Sequence, residues 1–298
     1  MNILVGYTGF VGSNLASSFK FDGLYNSKNI ELAYGTNPDL LIYSGVRAEK
    51  FYANNNPLED LEIINQAINN IKKINSKKLV LISTVDVYLN ASNVDEDTDV
   101  DRELLEPYGA NRYELEKWVE ENYEDYLIVR LPALYGENIK KNFIFDMISL
   151  SPALLTVDKY EVLCREDDFI KDYYVRQDDR FYKCIDCKVC REYFNRIGFS
   201  ALNFTDSRSV YQFYPLKYLW KHINYAMEMG IQKLNLATQP VSANEVYEYI
   251  NNKEFVNEIA REPFNYNMRT KYYEGGYIFN KEFILEDLKK FVLSQRNK

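Results

Sequence analysis

Met1-Asn2-Ile3-Leu4-Val5-Gly6-Tyr7-Thr8-Gly9-Phe10-Val11-Gly12 is the stretch that decides the fold. Ile3–Gly6 is an apolar run entering a glycine-rich turn, and Val11–Phe19 continues as a helical pattern. In Gly6-x-x-Gly9-x-x-Gly12 the first glycine allows a tight turn. The second lets a pyrophosphate approach backbone, and the third lets the helix pack on the strand. The helix N-terminus then presents unpaired N–H groups and a positive dipole end to phosphate.

Outward from this turn, apolar runs alternate with helical patterns. Leu40–Tyr43 and Lys78–Ser83 are buried runs, and Tyr126–Leu131 is a third. Between them Leu58–Ile74 carries Leu61, Ile64, Ile68 and Ile71 at helical spacing, and Tyr108–Asn122 is helical again. Continuous apolar strands separated by helices predict an α/β chain whose parallel sheet is covered on both faces. Beyond about residue 150 the pattern loosens. Leu155–Arg208 is rich in Tyr, Asp and Cys without a clean period. Helical patterns return over Pro215–Met229, Val241–Asn251 and Lys281–Ser294, and Lys233–Ala237 reads as a strand. The expected organisation is a sheet domain over 1–150 and a smaller lobe over 151–298, interleaved with late sheet elements.

The chain of 298 residues carries 36 Lys and Arg against 44 Asp and Glu, a net charge of −8. The charges are mixed along the chain, as at Lys72, Lys73, Lys77 and Lys78 followed by Asp95, Glu96, Asp97 and Asp99. Nucleic-acid and anionic-membrane surfaces need clustered cations, so neither partner is expected. No apolar run approaches the roughly 20 residues of a membrane span, and no signal-peptide pattern opens the chain. A cytoplasmic location is expected. His222 is the single histidine and reads as a partly buried structural residue. The 26 tyrosines are mostly packing residues with a wet hydroxyl.

Gly-x-x-Gly-x-x-Gly at this position resembles the extended short-chain dehydrogenase/reductase superfamily of nucleotide-sugar epimerases, dehydratases and reductases. Other segments resemble it in the same order. Pro38–Gly45 resembles the third-strand segment, and Ser83-Thr84-Val85-Asp86-Val87-Tyr88 the end of the fourth strand. Pro107-Tyr108-Gly109-Ala110-Asn111-Arg112 resembles the start of the catalytic helix. Arg130-Leu131-Pro132-Ala133-Leu134-Tyr135-Gly136 resembles the strand and turn beside the nicotinamide, and Arg208-Ser209-Val210-Tyr211 the segment facing a sugar-nucleotide diphosphate. The resemblance is detailed up to Asn142 and loose from there to Ser207. It implies a Rossmann-type doubly wound sheet with a smaller C-terminal substrate-binding lobe, the substrate lying between that lobe and the sheet's carboxyl ends.

The resemblance also implies roles. Tyr108 is the expected general acid/base, Thr84 orients the substrate oxygen, and Arg112 holds the nicotinamide ribose and lowers the pKa of Tyr108 from its ordinary value near 10. Tyr108 and Arg112 stand at i and i+4 on one helix face. Arg112 replaces the family's lysine, which is not a conservative exchange. Tyr113 and Lys117 also satisfy Tyr-x-x-x-Lys, but Tyr108 follows Thr84 by 24 residues, near the family's interval, and Tyr113 by 29. Five helical residues rotate a side chain by about 140°, so the two pairs do not share a face. Dehydratases of the family carry Asp and Glu directly after the Thr. Here Val85 and Asp86 stand there, which disfavours dehydration.

Gly6, Thr8, Gly9, Phe10, Val11, Gly12, Ser44, Gly45, Val46, Ser83, Pro132, Ala133 and Leu134 are the expected NAD(P) contacts. Asn26, Ser27 and Lys28 replace the acidic residue that reads the ribose of NAD, and Ser27 with Lys28 leans the expectation to NADP. Asn142 and Arg208 are candidates for the substrate's phosphate or sugar. Cys164, Cys184, Cys187 and Cys190 leave two readings open, a zinc site or four reduced thiols, and no metal is assigned. The expected function is an NAD(P)-dependent oxidoreductase or epimerase acting on a nucleotide-linked sugar, in a chain able to form homodimers. The alternative is a catalytically weakened dinucleotide-binding protein with a sensing or assembly role.

Overall fold

The computed structural model describes residues 1–297. In chain order the first elements are β1 (Asn2–Val5), α1 (Phe10–Ser18), β2 (Gly23–Tyr25), β3 (Leu40–Tyr43), α2 (Lys50–Asn55), α3 (Pro57–Ile74), β4 (Lys78–Thr84), β5 (Ser92–Val94), α4 (Pro107–Asn122), β6 (Tyr126–Leu131) and β7 (Ala133–Tyr135). There follow α5 (Phe143–Ser149), β8 (Leu154–Thr156), α6 (Val157–Glu166), α7 (Phe169–Tyr173), β9 (Tyr174–Arg176), β10 (Phe181–Cys184) and α8 (Cys187–Arg196). The last are β11 (Val210–Tyr211), β12 (Phe213–Pro215), α9 (Leu219–Glu228), β13 (Lys233–Asn235), β14 (Val241–Ser242), α10 (Ala243–Asn251), β15 (Asn267–Met268) and α11 (Lys281–Arg296).

Two compact units result. The first comprises Met1–Asn138, Tyr211–Pro240 and Asn265–Ile284, and the second Ile139–Val210, Val241–Phe264 and Leu285–Lys298. The first unit is built on a six-stranded sheet in the order β13-β6-β4-β3-β1-β2, parallel throughout. The expected late strand joins it as β13 beside β6, with Leu234 opposite Val129.

The strands are apolar on both sides because both faces are buried. Leu4, Ile42, Val80, Leu127 and Val129 point to one face and pack with Leu15 of α1 and Leu219 and Ile223 of α9. Their neighbours Ile3, Leu41, Leu79, Leu81 and Ile128 point to the other and pack with Ile64 and Ile71 of α3 and Leu115 and Val119 of α4. Side chains alternate along a strand, so each strand feeds both layers.

The second unit holds a three-stranded antiparallel sheet, β8-β10-β9. Its core is Leu155, Leu163, Ile170, Tyr174, Cys184, Cys190, Tyr193 and Phe194. Short strands and tyrosines that keep partly wet edges explain why this stretch has no clean period in sequence. No described helix is long and apolar enough to cross a membrane.

Candidate active site

In a parallel sheet every carboxyl end lies at one edge, so the segments leaving β1, β3, β4 and β6 gather there. At β1, Gly6 turns with φ +91, and a Cβ on it would meet the Ser44 carbonyl oxygen at 2.5 Å. A Cβ on Gly12 would lie 2.1 Å from the Gly6 carbonyl oxygen. Those two glycines are therefore required by the chain's own packing. Gly9 is different. Its φ of −77 suits any residue, and a Cβ there would meet only the Gly6 oxygen, at 3.3 Å. It is exposed, caps α1, and makes no side-chain cap hydrogen bond. The bare backbone leaves the helix N-terminus open to a phosphate, so the turn fits a dinucleotide pyrophosphate. Thr8 is exposed beside it, while Phe10 and Val11 are half-buried against the core.

Asn26 follows β2 directly. Its side chain accepts the Lys28 N–H at 2.8 Å, and its own N–H donates to Asn29 Oδ1 at 2.7 Å. This turn leaves Ser27 and Lys28 exposed. Ser44 donates its hydroxyl to the Val5 carbonyl at 2.8 Å, Gly45 is exposed, and Val46 packs on the core. Pro132 is buried, and Ala133 and Leu134 are half-buried in β7, which pairs with β12. Ser83 faces inward and donates to Glu116 Oε1 at 2.5 Å, so its hydroxyl serves a buried network and not the expected cofactor contact.

Thr84 ends β4 and Tyr108 opens α4, and the structure brings Thr84 near enough to the Tyr108 phenol to favour its charged form. The close approach has a visible cause. A Cβ on Gly109 would stand 2.0 Å from the Asp86 carbonyl oxygen, so only glycine lets α4 lie this near the turn after β4. Asn54 completes the placement by accepting the Tyr108 N–H at 2.9 Å. Tyr108 is buried, at 7% exposure.

Arg112 does not play the expected part. Its guanidinium carbon lies over the Tyr108 ring, 3.9 Å from the ring centre. Its N–H groups are spent on Asp60, on the Arg47 carbonyl at 2.7 Å and on the Tyr108 carbonyl at 3.3 Å. Asp60 is 2% exposed and also accepts from Asn111 at 2.9 Å. Arg112 thus has its charge matched at close range by Asp60, with further donors taken up by the Arg47 and Tyr108 carbonyls. The expectation that it leaves Tyr108 with a low pKa is corrected accordingly. Burial raises the Tyr108 pKa and outweighs the lowering by Arg112; Asp86 raises it further, and Thr84 and Lys50 lower it. The rival pair is no better placed. Lys117 is bound to Glu120 at 2.9 Å on an exposed face, and Tyr113 packs with Val85, Val87 and Met268.

Lys50 and Asp86 were missed as site residues by sequence reasoning. Lys50 Nζ meets Asp86 Oδ1 at 2.6 Å, and Thr84 Oγ1 donates to Asp86 Oδ2 at 3.0 Å. Tyr266 also bonds Lys50. The only sequence signal was Asp86 at the second position after Thr84.

In the second unit, Arg208 is held by Asp206 at 2.8 Å, Glu258 at 3.2 Å and the Ala260 carbonyl at 2.7 Å. Two carboxylates offset its charge, which removes the reason for expecting it to take a phosphate. Asn142 sits at φ +93 and caps α5, its side chain accepting the Ile144 and Phe145 N–H groups at 3.0 and 3.2 Å. Among the described residues no group of three His, Cys, Asp or Glu is arranged to hold a metal ion.

Comparison with known proteins agrees with this architecture. No curated protein matches the sequence significantly. Among solved structures, a UDP-N-acetylglucosamine 4-epimerase from Methanobrevibacter ruminantium M1, in complex with UDP-N-acetylmuramic acid, is similar with a TM-score of 0.65 at 16% identity, covering 99% of this chain and 98% of that one. A dTDP-4-dehydrorhamnose reductase from Bacillus anthracis str. Ames, in complex with NADP, gives 0.61 at 17% identity, with 99% of each chain covered. A GDP-D-glycero-L-gluco-heptose synthase from Campylobacter jejuni, in the presence of NADPH, gives 0.63 at 16% identity, covering 100% of this chain and 98% of that one. The RmlD substrate binding domain profile matches residues 1–158, more than half of the 298-residue chain. With its Rossmann-type parallel sheet, the chain belongs to the RmlD substrate binding domain family.

Proposed function

We propose that the protein is an NAD(P)-dependent reductase or epimerase of nucleotide-linked sugars that uses Tyr108 as its proton-transfer group. The observation that carries this reading is the close approach of α4 to the turn after β4 at Gly109 and Asp86, which sets Tyr108 near Thr84 in the same unit as the Gly6–Gly12 turn. Gly9 and the first turn of α1 would hold the cofactor's pyrophosphate. When bound, the nicotinamide supplies or accepts the hydride. Tyr108 gives its phenolic proton to a substrate oxygen, or takes it back, while Thr84 orients that oxygen through its hydroxyl. Burial favours the neutral phenol, and a protonated Tyr108 suits donation to a ketone being reduced better than abstraction from an alcohol. Val85 leaves no acid at the first position after Thr84, so water loss is not proposed. Ser27 and Lys28, exposed beyond β2, would favour NADP, the cofactor form seen with the anthrax and Campylobacter proteins of similar fold.

Calorimetric titration with NADPH and NADH, followed by turnover assays on UDP-, GDP- and dTDP-linked keto-sugars, tests the proposal. NADPH should bind the parent protein. Gly9→Val should lose that binding while keeping the fold, because a branched side chain covers the open helix N-terminus. Tyr108→Phe should bind NADPH normally and lose turnover. A second reading is favoured by one observation, the pairing of Arg112 with Asp60, which offsets the charge of the cation lying over the Tyr108 ring. In that reading the protein binds NADPH and turns over no sugar nucleotide. NADPH binding that is equal in Gly9→Val would overturn both.

A further inference from the structure

The cysteines absorbed by neither reading lie together in the second unit. Cys184 ends β10 and Cys187 begins α8, with Cys190 one turn further on. The sulfurs of Cys184 and Cys190 are 3.8 Å apart, and Cys187 is near enough to influence the Cys184 thiol. Cys184 is 8% and Cys190 0% exposed, but Ile185 and Val189 between them are 59% and 45% exposed, so the bend itself faces solvent. The fourth thiol, Cys164, packs elsewhere against the same cluster, beside Tyr160.

The surroundings favour a reactive sulfur at Cys184. The Cys187 and Cys190 thiols crowd it, and the Tyr174 hydroxyl and the Asp186 N–H add to their effect on its charge. Burial opposes the charge, yet these donors hold the Cys184 thiol below its usual range. Donation of their protons toward Cys184 pushes the Cys187 and Cys190 thiols the other way. One nucleophilic sulfur with protonated partners at contact distance is the arrangement a peroxide-reactive cysteine and its resolving thiol require.

We propose that Cys184 and Cys190 form a reversible, peroxide-responsive dithiol site that locks the β10–α8 bend as a disulfide. The Cys184 thiolate attacks one oxygen of a hydroperoxide and breaks the O–O bond. This gives a sulfenic acid, and the leaving hydroxide or alkoxide takes a proton from solvent to become water or an alcohol. Cys190 sulfur then attacks the Cys184 sulfur. The S–S bond forms, the S–O bond breaks, and hydroxide leaves with the Cys190 proton as water. Two thiols are oxidised and one peroxide is reduced. The sulfurs must close by about 1.8 Å to bonding distance, within reach of side-chain rotation at a bend.

The test uses the full chain and hydrogen peroxide, with iodoacetamide trapping, tryptic digestion and mass spectrometry. Cleavage after Lys188 puts Cys184 and Cys187 on one peptide and Cys190 on another. The expected product is a pair of peptides joined through Cys184 and Cys190 and separated by dithiothreitol, with Cys164 and Cys187 still alkylated. Cys187→Ser should keep the link. Cys190→Ser should lose it and accumulate a dimedone adduct at Cys184. If the Cys190 variant does not fold, the parent chain and Cys187→Ser decide the matter alone. The proposal is overturned if all four thiols stay alkylated at peroxide levels that oxidise glutathione, if the link needs Cys187, or if purified protein carries stoichiometric zinc that protects the thiols. None of these outcomes depends on cofactor binding.

Discussion

At the scale of single residues, Gly109 carries more of the site than any group with chemistry of its own. Glycine in the first turn of a helix costs conformational entropy, so its presence needs a reason. Here the reason is a carbonyl that leaves no room for a methyl group. Gly109→Ala should destabilise the protein by about 1–3 kcal/mol, as overpacking does, and should reduce turnover more than cofactor binding by pushing Tyr108 from Thr84. Thermal unfolding and calorimetry on the same sample check both halves. Tyr108 and Thr84 were legible in sequence because their residue types and interval carry a pattern. Gly109 was in view beside them, but the carbonyl that demands it comes from another element. His222 makes the opposite point. Its Nδ1 lies 2.5 Å from the Tyr214 hydroxyl, and burial pushes its pKa down to about 4. The unfolded chain binds the proton more tightly, so His222 contributes no stability loss above pH 6.5 and a growing one as pH falls toward 4. Urea titrations should register a loss on the order of 3 kcal/mol over that range, and His222→Gln should remove most of it.

At the scale of elements, α4 explains both what sequence pattern could read and what it could not. Its inward face holds Tyr108, Arg112 and Glu116, all buried and at successive helical turns. An apolar stripe would have announced that face; a polar one does not, and the helix has little amphipathic signal. Each polar group is matched across the interface. Arg112 meets Asp60 of α3, and Glu116 meets Arg130 of β6, with Nη2 to Oε2 at 2.6 Å. Arg130 is 1% exposed and reaches Tyr88 at 2.6 Å, and Tyr88 meets Asn235 of β13. The helix bearing the proposed acid/base is therefore fixed to three strands by a buried ionic network. Removing one partner leaves the other charged and unpaired. Arg130→Met should cost about 3–5 kcal/mol, and the double variant with Glu116→Leu should recover much of that loss. Equal losses in the single and double variants, measured by denaturant unfolding, would mean that packing and not the pair sets the cost.

At the scale of the whole molecule, the alternating apolar runs made the parallel sheet readable, and a break near residue 150 is where the pattern fades. The chain divides differently because its units are discontinuous: it leaves the first unit after Asn138 and re-enters at Tyr211. Local patterns carry no record of such a return. A fragment ending at residue 150 lacks β13, β12 and α9, so the edge of β6 and the core face of Val129, Leu127 and Val80 stay uncovered. Such a fragment should aggregate in light scattering, whereas the full chain stays dispersed. The late strand also sets a clock on biosynthesis. Some hundred residues must leave the ribosome between β6 and its outer neighbour, so the nascent chain carries an unfinished sheet edge throughout the translation of Ile139–Val210, the first segment of the second unit. Chaperone engagement should peak in that interval and fall once β13 has emerged, a dependence that ribosome profiling of chaperone-bound nascent chains would resolve.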